Sequence, residues 1–144
     1  MKVRVMLAKK GGHVVTAPPN TSVATLAHML KTAGIGALII TSEGGGIEGL
    51  VSERDIVQGL VKEGPELLQM HASEIMTKWL KTCTPEDDIR DVMSKMTHSR
   101  IRHLPVIDHG KLCGIISIGD VVKNRLEDLE LETNVLRDVA VERH

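Results

Sequence analysis

Two serine–aspartate pairs at the same spacing, Ser52 with Asp55 and Ser117 with Asp120, are the side chains best placed to do chemistry in this 144-residue chain. Their chemistry is that of binding. An ionised carboxylate only accepts hydrogen bonds, and one carboxylate can take two adjacent hydroxyls as a charge-assisted pair. A serine hydroxyl and the free N–H groups of a helix start suit phosphate. The same residue types cap helices, so capping stands beside binding as a reading of both pairs. Arg54, Arg102 and His103 are the candidate phosphate donors, and Gly119 opens the backbone beside Asp120. Thr16 and Thr82, each just ahead of a prolyl turn, could add hydroxyls at the rim of a site.

Reactive chemistry finds little support. Ser117, His103 and Asp120 suggest a hydrolytic triad, but 114–119 puts one residue too many before the serine for a nucleophile elbow. Residues 34–39 start like a dinucleotide fingerprint, yet the third glycine is missing and a strand follows where a helix is needed. His98, His103, His109 and Cys113 show no familiar zinc spacing. The chain is therefore expected to be no enzyme and to hold no metal or cofactor.

The elements that would position these residues occur twice. Pro19 to Val23 matches Pro85 to Ile89 at an offset of 66. After each comes an amphipathic helical face: Val23, Leu26, Ala27 and Leu30, then Ile89, Val92, Met93 and Met96. Short apolar runs follow at 35–40 and 101–106, then glycine-bearing turns at 43–46 and 108–111. The offset drops to 65 where 49–57 matches 114–122, so the second turn is one residue shorter. Each copy reads strand–helix–strand–turn–strand–helix, too small to stand alone, and two copies packed sheet to sheet would share a core. Residues 62–79 read as a connector, with a capped helical turn at 73–76 leading into the second copy. Val122, Leu126, Leu129, Leu136 and Ala140 form an apolar stripe on a long final helix, which suits either packing on its own domain or a dimer contact.

Composition narrows the partners. Eighteen basic residues against nineteen acidic argue against nucleic acid or anionic membrane, despite the local cluster His98, Arg100, Arg102 and His103. One Trp, with no Tyr or Phe, leaves no stacking platform for single strands, and the methionines read as core filler. No apolar run approaches a membrane span, and no secretory pattern is read in 1–12. Two unmatched cysteines fit a reducing cytoplasm.

The doubled pattern resembles a tandem cystathionine-β-synthase (CBS) domain pair. The strings that carry the resemblance are 102–106 with 114–122, and 36–40 with 49–57, in register in both copies. The resemblance covers roughly residues 8–130 and suggests a stand-alone pair. It implies an α/β fold of two β-α-β-β-α repeats related by a pseudo-twofold, at 8–66 and 73–128, with a C-terminal helical extension at 129–144. It implies two clefts that take adenosine ligands such as AMP, ADP, ATP, NAD(H) or S-adenosylmethionine, a homodimer, and an unidentified regulated protein; the second reading is a dimeric scaffold with vestigial clefts. In such clefts Asp55 and Asp120 would hold ribose, and Ser52 and Ser117 would sit by phosphate. Leu38 and Leu104 would wall the base, and the strand backbone at Gly36, Ala37 and Pro105 would read its edge. Copy two carries Arg102 and His103 where copy one has Gly36 and Ala37, so the sites are expected to differ. His103, titrating near neutrality when unperturbed, would favour phosphate on mild acidification.

Overall fold

The computed structural model describes residues 1–11 and 13–142. Two small sheets carry the repeats. The first holds β1 (Thr16–Ala17), β2 (Ala37–Thr41) and β3 (Ile47–Ser52), with β1 parallel and β3 antiparallel to β2. The second pairs β4 (His103–Asp108) with β5 (Lys111–Ser117). The first strand expected in copy two is reduced to a single parallel bridge, Cys83 to Val106, which matches Ala17 to Ile40 at the same offset of 66. Both hairpins shift register just before the turn, after Ile40 and after Val106.

Helix ends follow the sequence. Ser22 caps α2 (Val23–Ala33) through the Thr25 N–H, and Asp88 caps α5 (Ile89–Ser99) through the Arg90 N–H. Gly34 closes α2 in the left-handed conformation at φ 64°. Arg100 closes α5 in the same conformation at φ 54°, a geometry that strains a residue with a Cβ. Helix α3 (Glu53–Glu63) leads through a 3-10 segment (Gly64–Gln69) to the short α4 (Ala72–Ile75), and α6 (Ile118–Glu142) runs 25 residues without a break.

The repeats exchange helices. Helix α1 (Val3–Lys10) precedes copy one, yet Val3 and Met6 are buried among Ile89, Val92, Met96 and Leu104 of copy two. Helix α4 was expected to lead into copy two. Instead it packs on copy one, with Ala72 buried beside Leu26, Leu30 and Val51. Matching main-chain bonds fix each exchange: Val3 N–H donates to Asp87 at 2.9 Å, and Ala72 N–H to Thr21 at 2.8 Å. Two glycines at equivalent strand positions make room. A Cβ at Gly49 would stand 2.7 Å from Met76 Sδ, and one at Gly114 2.7 Å from Leu7 Cδ2. A third cluster, Ala37, Ile39 and Leu50 against Leu112 and Ile115, joins the two sheets. Repeat and spatial unit therefore differ, and a cleft opens at the joint between the sheets.

Candidate functional site

Both serine–aspartate pairs form capping boxes. Ser52 Oγ accepts from Asp55 N–H at 3.3 Å, and Asp55 Oδ2 accepts from Ser52 N–H at 2.9 Å and Ser52 Oγ–H at 3.0 Å. Ser117 and Asp120 repeat this at 3.1 and 2.9 Å. The helices begin at Glu53 and Ile118, so each Asp is the third residue of its helix. Capping thus positions both carboxylates at a strand-to-helix turn and leaves an oxygen of each beyond the box.

An open cleft of about 680 Å³ lies over the Asp55 turn, within the size range of small-molecule sites. Copy one supplies Gly36, Ser52, Arg54 and Asp55, copy two supplies Arg100, Ile101, Arg102 and His103, and the stretch where the connector runs into copy two supplies Trp79, Leu80 and Lys81. The strand entry of copy two therefore faces the capping turn of copy one. Arg54, Lys81, Arg100 and Arg102 against the acidic Glu53 and Asp55 leave this cleft net positive. No cation pairs with Asp55 among the described residues. Trp79, 94% exposed, stands at the cleft as the chain's lone aromatic.

The turn around Asp120 is different. Lys10, from the exchanged helix α1, donates to Asp120 Oδ2 at 2.6 Å and to the Ile115 carbonyl at 2.9 Å. Burial pushes the Asp120 carboxyl up, but bonds from Lys10 and Ser117 outweigh it and hold the group below the usual carboxylate range.

His103 lies at the centre, with Nε2 3.3 Å from where a Cβ on Gly36 would sit. Burial lowers its pKa and the Lys10 charge lowers it further, against the opposing pull of Asp120 and Glu53. The imidazole is therefore neutral at neutral pH, and mild acidification alone charges it less than an unperturbed ring. The unfolded chain binds the proton more readily, so this contribution to stability is complete above about pH 6.5 and is lost as pH falls below it. Melting temperature should decline from pH 7 to 5 in the parent chain and decline less in His103→Gln; parallel curves would reject the assignment.

The remaining sequence candidates lie away from the open cleft. Leu38 and Leu104 are buried in the two repeat cores. Ala37 is buried in the cluster between the sheets, and the Pro105 carbonyl accepts from the Cys83 N–H at 3.0 Å. Thr16 and Thr82 are exposed, and Gly119 lies one residue before Asp120. Trp79, Lys81 and Lys10 were not singled out from sequence. Only pairing of the copies reveals them, because each comes from a segment outside the matched strings. Among the described residues no three His, Cys, Asp or Glu side chains cluster as a metal site, and no helix is long and apolar enough to cross a membrane.

A pseudo-twofold pair of α/β repeats, with a capping carboxylate at each strand-to-helix turn and an open cleft over the first, defines a class of two-repeat proteins. Comparison with known proteins identifies it: the CBS domain family matches residues 8–62 and 72–127. The chain belongs to the CBS domain family and carries two copies in tandem. It is 30% identical over 115 residues to the CBS domain-containing protein YhcV of Bacillus subtilis, covering 80% of this chain and 81% of that one. It is 37% identical over 93 residues to the mitochondrial CBSX3 of Arabidopsis thaliana, covering 62% of this chain but only 45% of that protein. A CBS-domain containing protein from Agrobacterium tumefaciens superposes with a TM-score of 0.84 at 40% identity, over 86% of this chain and 92% of the other. The CBS domain pair of protein MJ0100, solved with 5-methylthioadenosine and S-adenosyl-L-methionine, superposes with a TM-score of 0.80 at 25% identity, over 89% and 98%.

Proposed function

We propose that this protein is a non-enzymatic regulatory module that binds an adenosine-containing ligand, such as AMP, ADP, ATP or NAD(H), in the open cleft. The observation that carries the reading is the net positive cleft lined together by Asp55, Arg100 and Arg102, with no cation paired to Asp55 among the described residues. Asp55 accepts from the ribose hydroxyls, the arginines hold phosphate, and Trp79 offers its face to the base. The adenosyl ligands named for the MJ0100 pair support the ligand class. A cytoplasmic setting agrees with free thiols: burial pushes Cys83 up to about 11, which leaves it protonated and unreactive at neutral pH. Thermal melts with adenosine, AMP, ADP, ATP and NAD(H) test the reading. A true ligand at a hundredfold excess over Kd stabilises by about 2.7 kcal/mol. A flat panel favours instead a scaffold with vestigial clefts.

The same reading includes a homodimer. Leu126, Leu129 and Leu136 are all exposed along α6, the last by 70%. Burying three leucines contributes roughly 4–9 kcal/mol gross, which association costs of similar size offset, so the tail adds to a larger helical interface. Light scattering at micromolar concentration should give a dimer mass, weakened by truncation after Lys123. A monomeric full-length chain excludes the dimer.

A further inference from the structure

Lys10 ends a helix that belongs by sequence to one repeat and by packing to the other. We propose that Lys10 is the residue that closes the Asp120 cleft and so limits the protein to one nucleotide per chain, in the Asp55 cleft. The proposal rests on the nucleotide reading above.

The side chain is well placed for this role. Helix α1 is held by buried Val3 and Met6, by N–H bonds from Val3 and Arg4 to the carbonyls of Asp87 and Pro85, and by ion pairs of Lys2 and Arg4 with Glu86. From that anchored helix, Nζ makes a charge-assisted bond to Asp120 and a second bond to the Ile115 main chain. The carboxylate that ribose hydroxyls would use is therefore already neutralised from within the chain. The equivalent place over Leu50 in the first repeat is filled differently. There Thr77 pairs with Leu50 through main-chain bonds of 2.9 and 3.0 Å, and no cation reaches Asp55 among the described residues. One helix exchange thus brings an ammonium group to a ribose-type carboxylate and the other does not. A nucleotide entering at Asp120 meets a carboxylate whose Oδ2 is held by Ser117 and Lys10 and whose charge is already offset, so ribose hydroxyls must compete with the Lys10 pair for it.

Calorimetric titration with AMP tests the proposal. The parent chain and Lys10→Arg, which keeps the charge, should bind one AMP per chain. Lys10→Met should bind two, and Lys10→Met with Asp120→Ala should return to one. Circular dichroism and melting confirm folding, and Lys10→Gln replaces Lys10→Met should the latter fail to fold. Two AMP in the parent chain, or a single site in both Lys10→Met and Lys10→Gln, overturns the role of Lys10 and leaves the nucleotide reading intact. No binding of AMP, ADP, ATP or NAD(H) by parent or variants overturns both.

Discussion

Asp55→Ala should lower AMP affinity on the order of a hundredfold while costing only about 1 kcal/mol of stability. The affinity term follows from two hydrogen bonds between a carboxylate and ribose hydroxyls. Each is worth at least about 1.5 kcal/mol, and about 1.4 kcal/mol is a factor of ten in Kd. The stability term follows from the capping box, in which Asp55 Oδ2 satisfies the Ser52 N–H; loss of a cap costs about 1 kcal/mol. The two roles separate in Asp55→Asn. An amide oxygen still accepts from the Ser52 N–H, so the cap survives, whereas the charge that strengthens the ribose bonds is gone. Calorimetry beside urea unfolding reads both quantities. Unchanged affinity in Asp55→Ala, with folding intact, would leave the residue a cap and nothing more.

The second large effect is on charge selection. Arg102→Ala should remove roughly tenfold of the preference for AMP over adenosine, since one charged hydrogen bond to phosphate is worth about 1.5–3 kcal/mol. Arg100→Gly should act in the same direction on affinity and in the opposite direction on stability. Arg100 holds φ 54° at the end of α5, where the first repeat has Gly34 at φ 64°. A left-handed conformation costs a side-chain-bearing residue roughly 1–2 kcal/mol, part of which glycine gives back through its freer unfolded chain. Arg100→Gly should therefore melt slightly higher than the parent and bind AMP more weakly. The first repeat takes the relaxed solution and the second accepts strain at a residue lining the open cleft, which fits a site that uses the guanidinium. A variant that melts higher and keeps its AMP-to-adenosine ratio would show Arg100 to be bystander surface.

The repeat itself was legible in the chain. Capping residues, apolar faces and turn glycines recur at offsets of 66 and 65, and each is a local signal. Ser52–Asp55 and Ser117–Asp120 could be placed at strand-to-helix turns for the same reason. What local pattern could not carry was the pairing of segments distant in sequence. Helix α1 offers only Val3 and Met6 as buried positions, too few for a periodic signal, and its core partners begin only at Cys83. The connector at 62–79 read as a link into copy two, whereas its core residues Ala72, Ile75 and Met76 face backwards, onto copy one. Arg102 and His103 were grouped by sequence with their own repeat's Asp120; the fold keeps His103 within reach of the Asp120 charge and also presents both residues across the joint to Ser52 and Asp55. The expected inequivalence of the clefts was visible at 36–37 against 102–103, but its other half, Lys10 on Asp120, depends on a helix exchange that no spacing announces.

The central claim is that an adenosine nucleotide occupies the open cleft, and the chain carries its own reporter there. Trp79 is the only aromatic side chain of the fluorescent kind and lines that cleft. Titrating AMP into the protein while recording tryptophan emission should give a saturable change whose Kd equals the calorimetric value, and Asp55→Ala should shift the curve to higher concentration. Calorimetric binding of AMP with no change in Trp79 emission would place the ligand elsewhere, and no binding of AMP, ADP, ATP or NAD(H) by either method would contradict the account outright.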